Sequence, residues 1–123
     1  PYDPRRDPNT GILNPTGLVG FSRRLADAVT RELRRGAFPI VLGGDCSILL
    51  GITLALRRRG RFGLLFLDGH ADFYSPEANP NGEVASMDLA LATGRGPGSM
   101  PSTETCPPVR SRMRADLPER ARR

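Results

Sequence analysis

The sequence predicts an α/β domain built on a parallel sheet, and three observations lead to that fold class. Two amphipathic stretches have helical spacing, two short apolar runs lack polar alternation, and the four elements alternate as helix, strand, helix, strand. A short continuous apolar run is typical of a strand that is covered on both faces, as in parallel sheets. The strand–helix–strand part spans about 30 residues, the size of one βαβ unit, so both strands are expected to be parallel.

Each element is justified by its own residues. The opening segment, 1–17, is rich in Pro, Asn, Asp and Gly and is predicted to be irregular chain. Apolar residues at helical spacing define the helices, and Gly36 and Gly60 follow runs of arginine that suit helix C-termini. The predicted elements are a helix at 18–35, a strand at 39–42, a helix at 47–59, a strand at 64–67 and a short helix at 87–93.

Length and composition limit the chain to one small domain. It has 123 residues, of which 25% are charged and 38% hydrophobic, which excludes a typical disordered chain and a membrane protein. Residues 1–97 are predicted to form a partial α/β domain, and residues 98–123, rich in Arg and Pro, are predicted to be a disordered tail. All 18 basic residues are Arg, which is typical of a GC-rich genome.

Cysteine and histidine content narrows the chemistry. Cys46 and Cys106 stand alone without paired spacing, which favours a reducing compartment, and with no signal peptide or membrane span we expect a cytoplasmic protein. His70 is the one histidine, so a site that needs two imidazoles cannot come from one copy of this chain.

Acidic segments follow both predicted strands. Because parallel strands end at the same edge of a sheet, segments 43–47 and 68–72 are expected to lie close together. Alternation places Asp68, His70 and Asp72 on one face, a donor set that attracts Mn, Fe or Zn. The alternative is an ordinary polar turn, with Cys46 as a small buried side chain.

The two segments also resemble metal-binding motifs of a known family. Gly43-Gly44-Asp45-Cys46-Ser47 is similar to Gly-Gly-Asp-His-Ser, and Asp68-Gly69-His70-Ala71-Asp72 is similar to Asp-Ala-His-x-Asp, the first and second metal motifs of the ureohydrolases. That family contains the arginases, agmatinases and formiminoglutamases. The separation of the motifs and the helix between them also fit, and the resemblance covers roughly residues 18–97.

The resemblance implies a three-layer α/β/α fold and a site with two manganese ions. In the family a hydroxide bridging these ions attacks a guanidino or formimino carbon, and arginase thereby releases urea. By motif position Asp68, His70 and Asp72 are expected to be metal ligands, with Asp68 bridging the ions, and Cys46 stands where the family has a histidine ligand. Asn81 lies in a loop expected to contact the small guanidino-type substrate, and homo-oligomers are expected only of a full-length parent.

Departures from the family pattern leave three hypotheses open. Cys46 is a softer ligand than manganese prefers, residues 85–87 replace a family histidine region, and the third motif, Ser-x-Asp-x-Asp, has no counterpart. A composition change near Pro97 and a parent more than twice as long predict a truncated or frame-shifted chain. The hypotheses are an arginase-family hydrolase present as a truncated chain, a non-catalytic remnant of such a protein, and nucleic-acid binding by the Arg-rich tail, which lacks interleaved aromatic residues.

Overall fold

The computed structural model describes residues 3–96, so the predicted tail at 98–123 lies outside the described residues and its disorder stays a prediction. Within residues 3–96 the elements are three α-helices and one 3-10 helix, which lies between the second and third α-helices. They are α1 at Pro15–Arg34, α2 at Ile48–Arg57, the 3-10 helix at Val84–Ser86 and α3 at Asp88–Ala92.

Helix α1 begins three residues before the predicted start. Pro15 occupies the first turn, where its missing N–H has no intrahelical partner to lose and its fixed φ suits the helix. Asn14, which precedes it, adopts a left-handed conformation with φ 48°. At the other end Arg31 and Arg34 lie in the last turn, and Gly36 takes φ 77° just beyond it, as the sequence indicated.

Helices α1 and α2 pack against each other through small and branched apolar side chains. The core of this contact consists of four buried residues, Ala26, Val29, Leu54 and Ala55. Gly51 allows the close approach, because a Cβ at this position would lie 2.8 Å from Leu25 Cδ2. Helix α2 is shorter than the predicted 47–59, since the chain leaves the helix after Arg57. Just past the helix end, the Arg58 guanidinium pairs with Asp27 of α1 at 2.6 Å.

A second core joins the N-terminal segment to the chain after the second motif. It contains Ile12, Val84, Met87 and Leu91, all buried. Arg6 connects the two segments through hydrogen bonds. Its Nε donates to the Gly11 carbonyl within the N-terminal segment at 2.9 Å, and its Nη2 donates to the Pro76 carbonyl in the other segment at 2.8 Å. The segment predicted as irregular chain is thus an ordered part of the core, with Ile12 fully excluded from solvent.

The two apolar runs do not form the predicted parallel strands. Within residues 3–96 the sole β pairing is an isolated antiparallel bridge between Arg6 and Leu13. Most large side chains of the runs are exposed, with Leu42 at 91% and Leu67 at 85%. The predicted strands at 39–42 and 64–67 are therefore not confirmed, because a buried parallel strand needs hydrogen-bonding neighbours and cover on both faces. Val41 packs on the helix core, so the helices cover part of one run.

None of the helices in the described part of the chain is both long enough and apolar enough to span a membrane.

Candidate metal centre

The first motif segment leads into α2 and brings Cys46 to the site. Asp45 Oδ1 accepts a hydrogen bond from the Ser47 amide at 2.8 Å, which turns the chain into the helix and commits the Asp45 side chain to that turn. Cys46, the next residue, is half-buried and carries a free thiol. Of the two acidic or thiol side chains in this segment, Cys46 is thus the one that reaches the second motif.

Asp68 connects the two motif segments. The Cys46 thiol donates to Asp68 Oδ2 at 3.8 Å, a contact that spans 22 residues of sequence. The other oxygen, Asp68 Oδ1, accepts a hydrogen bond from the His70 amide at 3.0 Å. The two motif segments, which follow the two apolar runs in sequence, therefore meet in the structure.

Asp72 completes a group of three potential ligands. Its carboxylate, the Asp68 carboxylate and the Cys46 thiol each offer an atom within 4.8 Å of the others. Asp72 is buried and has φ 44°, a left-handed conformation that Asp tolerates better than most residues. The Ala90 amide donates to the Asp72 carbonyl at 3.4 Å, while Asp72 Oδ2 has no hydrogen-bond partner in the part of the chain that is described.

Two other predicted site residues lie apart from this group. The His70 side chain is 88% exposed, and its Nδ1 lies 3.8 Å from Asp68 Oδ1, so the imidazole sits at the edge. Alternation predicted a shared face, but the turn at Asp68 and the left-handed Asp72 interrupt the extended backbone on which alternation depends. Asn81, predicted to contact substrate, instead donates to Glu83 Oε2 at 3.0 Å and accepts from the Glu83 amide.

Negative charge concentrates around the thiol. The pKa of Cys46 is raised to about 11. Burial is the largest cause, and the negative charges of Asp72 and Asp68 act in the same direction. Cys46 is therefore a protonated thiol at neutral pH, in keeping with its role as the donor to Asp68. A cation that took the sulfur as a ligand would have to displace this proton.

Sequence reasoning missed Asp88, an acidic residue beside this group. Asp88 is fully buried, and burial raises its pKa to about 7; the charges of Asp72 and Asp68 act in the same direction, while the amides of Leu89 and Asp88 oppose it. The sequence presents it as an ordinary acid at a helix start. The one available indication was its position inside an apolar stretch, between Met87 and Leu89.

These donors fit a divalent cation. Ligand atoms lie about 2.0–2.6 Å from such ions, so three atoms within 4.8 Å of one another can share one ion. Carboxylate oxygens suit manganese, whereas the Cys46 sulfur suits softer ions. The unpartnered Asp72 Oδ2 is the kind of buried oxygen that a cation satisfies.

Comparison with known proteins finds similarity to arginases over most of the described chain. A family model described as "Arginase family" matches residues 7–99. The arginase of Staphylococcus aureus (strain MRSA252) is 33% identical over 88 residues, which cover 71% of this chain and 29% of that protein. The arginase of Bacillus caldovelox is 38% identical over 86 residues, which cover 69% of this chain and 29% of that protein.

Solved structures give the same result. The structure of the Bacillus caldovelox arginase superposes with a TM-score of 0.73 at 30% identity, over 85% of this chain and 35% of that one. The chain therefore spans about a third of the length of the proteins it matches. Since the family match includes both motif segments and the path of the chain follows an arginase α/β fold, this chain belongs to the arginase family.

Proposed function

We propose that this chain carries two of the metal-binding segments of a hydrolase that cleaves C–N bonds in guanidino or formimino compounds. The observation that carries the proposal is the convergence of Cys46, Asp68 and Asp72 from two segments that are distant in sequence. Membership of the arginase family supports the reaction class. A reducing compartment such as the cytoplasm, in which Cys46 remains a free thiol, is part of the proposal.

The same proposal includes the three-layer arrangement expected from the resemblance. We infer that the apolar runs 39–42 and 64–67 become neighbouring parallel strands when further strands and helices cover them. Their exposed leucines support this, because parallel strands with continuous apolar side chains are normally covered on both faces. The likeness to an arginase structure at a TM-score of 0.73 also supports it.

In the proposed chemistry the residues of the group bind the metal ions, and Asp68 also positions its neighbours. Asp68 and Asp72 would hold the manganese ions, with His70 recruited from the edge and Cys46 ligating after it loses its proton. Bound ions of this kind supply a water of lowered pKa and stabilise negative charge that develops on the substrate. Asp68 also orders the site before any ion binds, because it accepts hydrogen bonds from both Cys46 and His70.

A second candidate is a non-catalytic member of the family. It is favoured by the small number of donors, since three groups converge within residues 3–96 and the His70 side chain is largely exposed. A two-metal hydrolase needs enough ligands to hold both ions and still leave positions for water and substrate. Under this candidate the chain binds one cation and does not turn over substrate.

The proposed metal centre is tested by cobalt binding. Cobalt bound through a thiolate produces a sulfur-to-metal charge-transfer absorption band, and we expect this band when Co²⁺ is added to the 123-residue chain. Cys46→Ser should remove the band, and Cys106→Ser is the matched control that should keep it. Absence of the band in the unsubstituted chain, or its persistence in Cys46→Ser, would overturn the assignment of Cys46 to the site.

A further inference from the structure

Asp88 is a buried carboxylate with neither a hydrogen-bond partner nor an ion pair among residues 3–96. The residue is 0% exposed, and neither carboxylate oxygen has a hydrogen-bond partner among the described residues. The ion pairs found in residues 3–96 do not include it. A buried carboxylate without a partner is costly, and proteins rarely retain one without a ligand, a proton or a functional reason.

The surroundings of Asp88 connect it to the candidate metal centre. Its charge acts on the Cys46 thiol, and the charges of Asp72 and Asp68 act on Asp88. The backbone provides a second link, since the amide of Ala90, in the helix that Asp88 begins, donates to the Asp72 carbonyl. The unpartnered oxygens of Asp72 and Asp88 thus belong to one acidic group.

An ordinary helix-start role does not account for Asp88. Helix α3 has five residues, and an acid in its first turn would normally face water. The amides of Leu89 and Asp88 lie near the carboxyl group and favour its charged form, yet neither makes a hydrogen bond of good geometry to it. The two nearby amides thus favour a charged carboxylate, but neither carboxylate oxygen of Asp88 has a hydrogen-bond partner within residues 3–96.

We propose that Asp88 is a further carboxylate of the divalent-cation site formed by Cys46, Asp68 and Asp72. This inference rests on the metal centre of the proposed function. Asp88 is not among the donors that lie within 4.8 Å of one another, so it contributes through a second cation or through a water on the first. In either arrangement, a cation supplies the positive charge that Asp88 does not receive from an ion pair within residues 3–96.

The experiment measures Mn²⁺ affinity rather than turnover. Free aqueous Mn²⁺ has a strong electron paramagnetic resonance signal that is lost on binding, so titration of the 123-residue chain gives a Kd directly. We expect Asp88→Asn to weaken binding about 10- to 100-fold, the usual cost of losing a group that supports a metal site. Asp27→Asn, which removes the same charge from an exposed site on α1, is the control and should leave the Kd unchanged.

The outcomes separate this inference from the proposed function. If the unsubstituted chain does not bind Mn²⁺, the metal centre fails and this inference fails with it. If the unsubstituted chain binds and Asp88→Asn binds equally well, Asp88 is a neutral core carboxyl and only the inference is overturned. Circular dichroism verifies that Asp88→Asn retains its helices.

A second measurement on the unsubstituted chain covers the case in which Asp88→Asn does not fold. Cd²⁺ is diamagnetic, so the side-chain carboxyl ¹³C resonances can be followed during its addition. We expect the Asp88 resonance to shift with the Asp68 and Asp72 resonances while that of Asp27 stays in place. A stationary Asp88 resonance at saturating Cd²⁺ would overturn the inference.

Discussion

The helices and the two apolar runs differ in how they satisfy their backbone. Helices α1 and α2 make their own hydrogen bonds and bury Ala26, Val29, Leu54 and Ala55 between them. The runs at 39–42 and 64–67 are at least as apolar, but they have no ladder within residues 3–96. Hydrophobicity alone therefore does not make a strand, because a strand depends on neighbours for hydrogen bonds as well as for cover.

The candidate site lies where the helices and the two apolar runs meet, and its residues differ in burial from one side to the other. Asp72 is buried, and its carbonyl accepts a hydrogen bond from the Ala90 amide on α3. Asp68 and His70 follow an exposed run, and the His70 side chain is correspondingly exposed. The better-packed side of the site is thus the side supported by helices.

The largest effect that this comparison predicts concerns catalysis. With its runs uncovered and three donors converging, the 123-residue chain should release no urea from arginine or agmatine in the presence of Mn²⁺. Turnover should stay far below about 1 per second, the low end of ordinary enzymes. A colorimetric assay of urea over time measures it.

The opposite result has a clear form. Turnover of about 1 per second or more, abolished by Asp68→Ala or His70→Ala, would mean that the chain assembles a working site and that the runs need no further cover. Activity that survives both substitutions would indicate a contaminating enzyme.

Self-association is the next largest effect. The exposed leucines of the runs should drive the chain to associate, and the double substitution Leu42→Lys with Leu65→Lys should shift it toward the monomer in light scattering. Phe21→Lys on α1, where the side chain is 43% exposed, is the control and should change association little. Equal association of the double variant and of Phe21→Lys would show that the chain does not associate through the runs.

Single substitutions in the two regions should change the free energy of unfolding by different amounts. Ile12 is fully buried in the second core, so Ile12→Ala should lower the free energy of unfolding by about 2–5 kcal/mol. Leu42→Ala removes a side chain that is 91% exposed and should change it by less than about 0.5 kcal/mol. Urea denaturation followed by circular dichroism measures both, and similar losses would contradict the contrast between the regions.

The same contrast explains what could be predicted from the sequence. Helices α1 and α2 were predicted because their signals are local: apolar periodicity, terminal arginines and Gly36. The meeting of Cys46 with Asp68 followed from the order of the elements and is present even though the strands are not. Local signals and chain order thus gave the helices and the meeting of the motifs.

What could not be predicted depends on long-range contacts. The burial of Ile12 and Asp88 arises from packing between segments that are far apart in sequence, which no local pattern encodes. The exposure of His70 follows from the turn at Asp68 and the positive φ of Asp72, where simple alternation assumes an extended chain. Asn81 pairs locally with Glu83, so its predicted substrate contact stays a prediction.

The smallest predicted effect compares two helical glycines. At Gly51 on α2, an added Cβ would lie 2.8–2.9 Å from three atoms of the Leu25 side chain, including its Cβ, so Gly51→Ala must push the helices apart. We expect a loss of about 1–3 kcal/mol, typical of overpacking. At Gly20 on α1 the added Cβ would meet only the end of Arg24, at 3.5 Å, and Gly20→Ala should gain about 0.5–1 kcal/mol from the better helix propensity of alanine. Thermal unfolding of the two variants gives shifts of opposite sign if the α1–α2 contact is as close as described, and a gain at both positions would show that the helices adjust without cost.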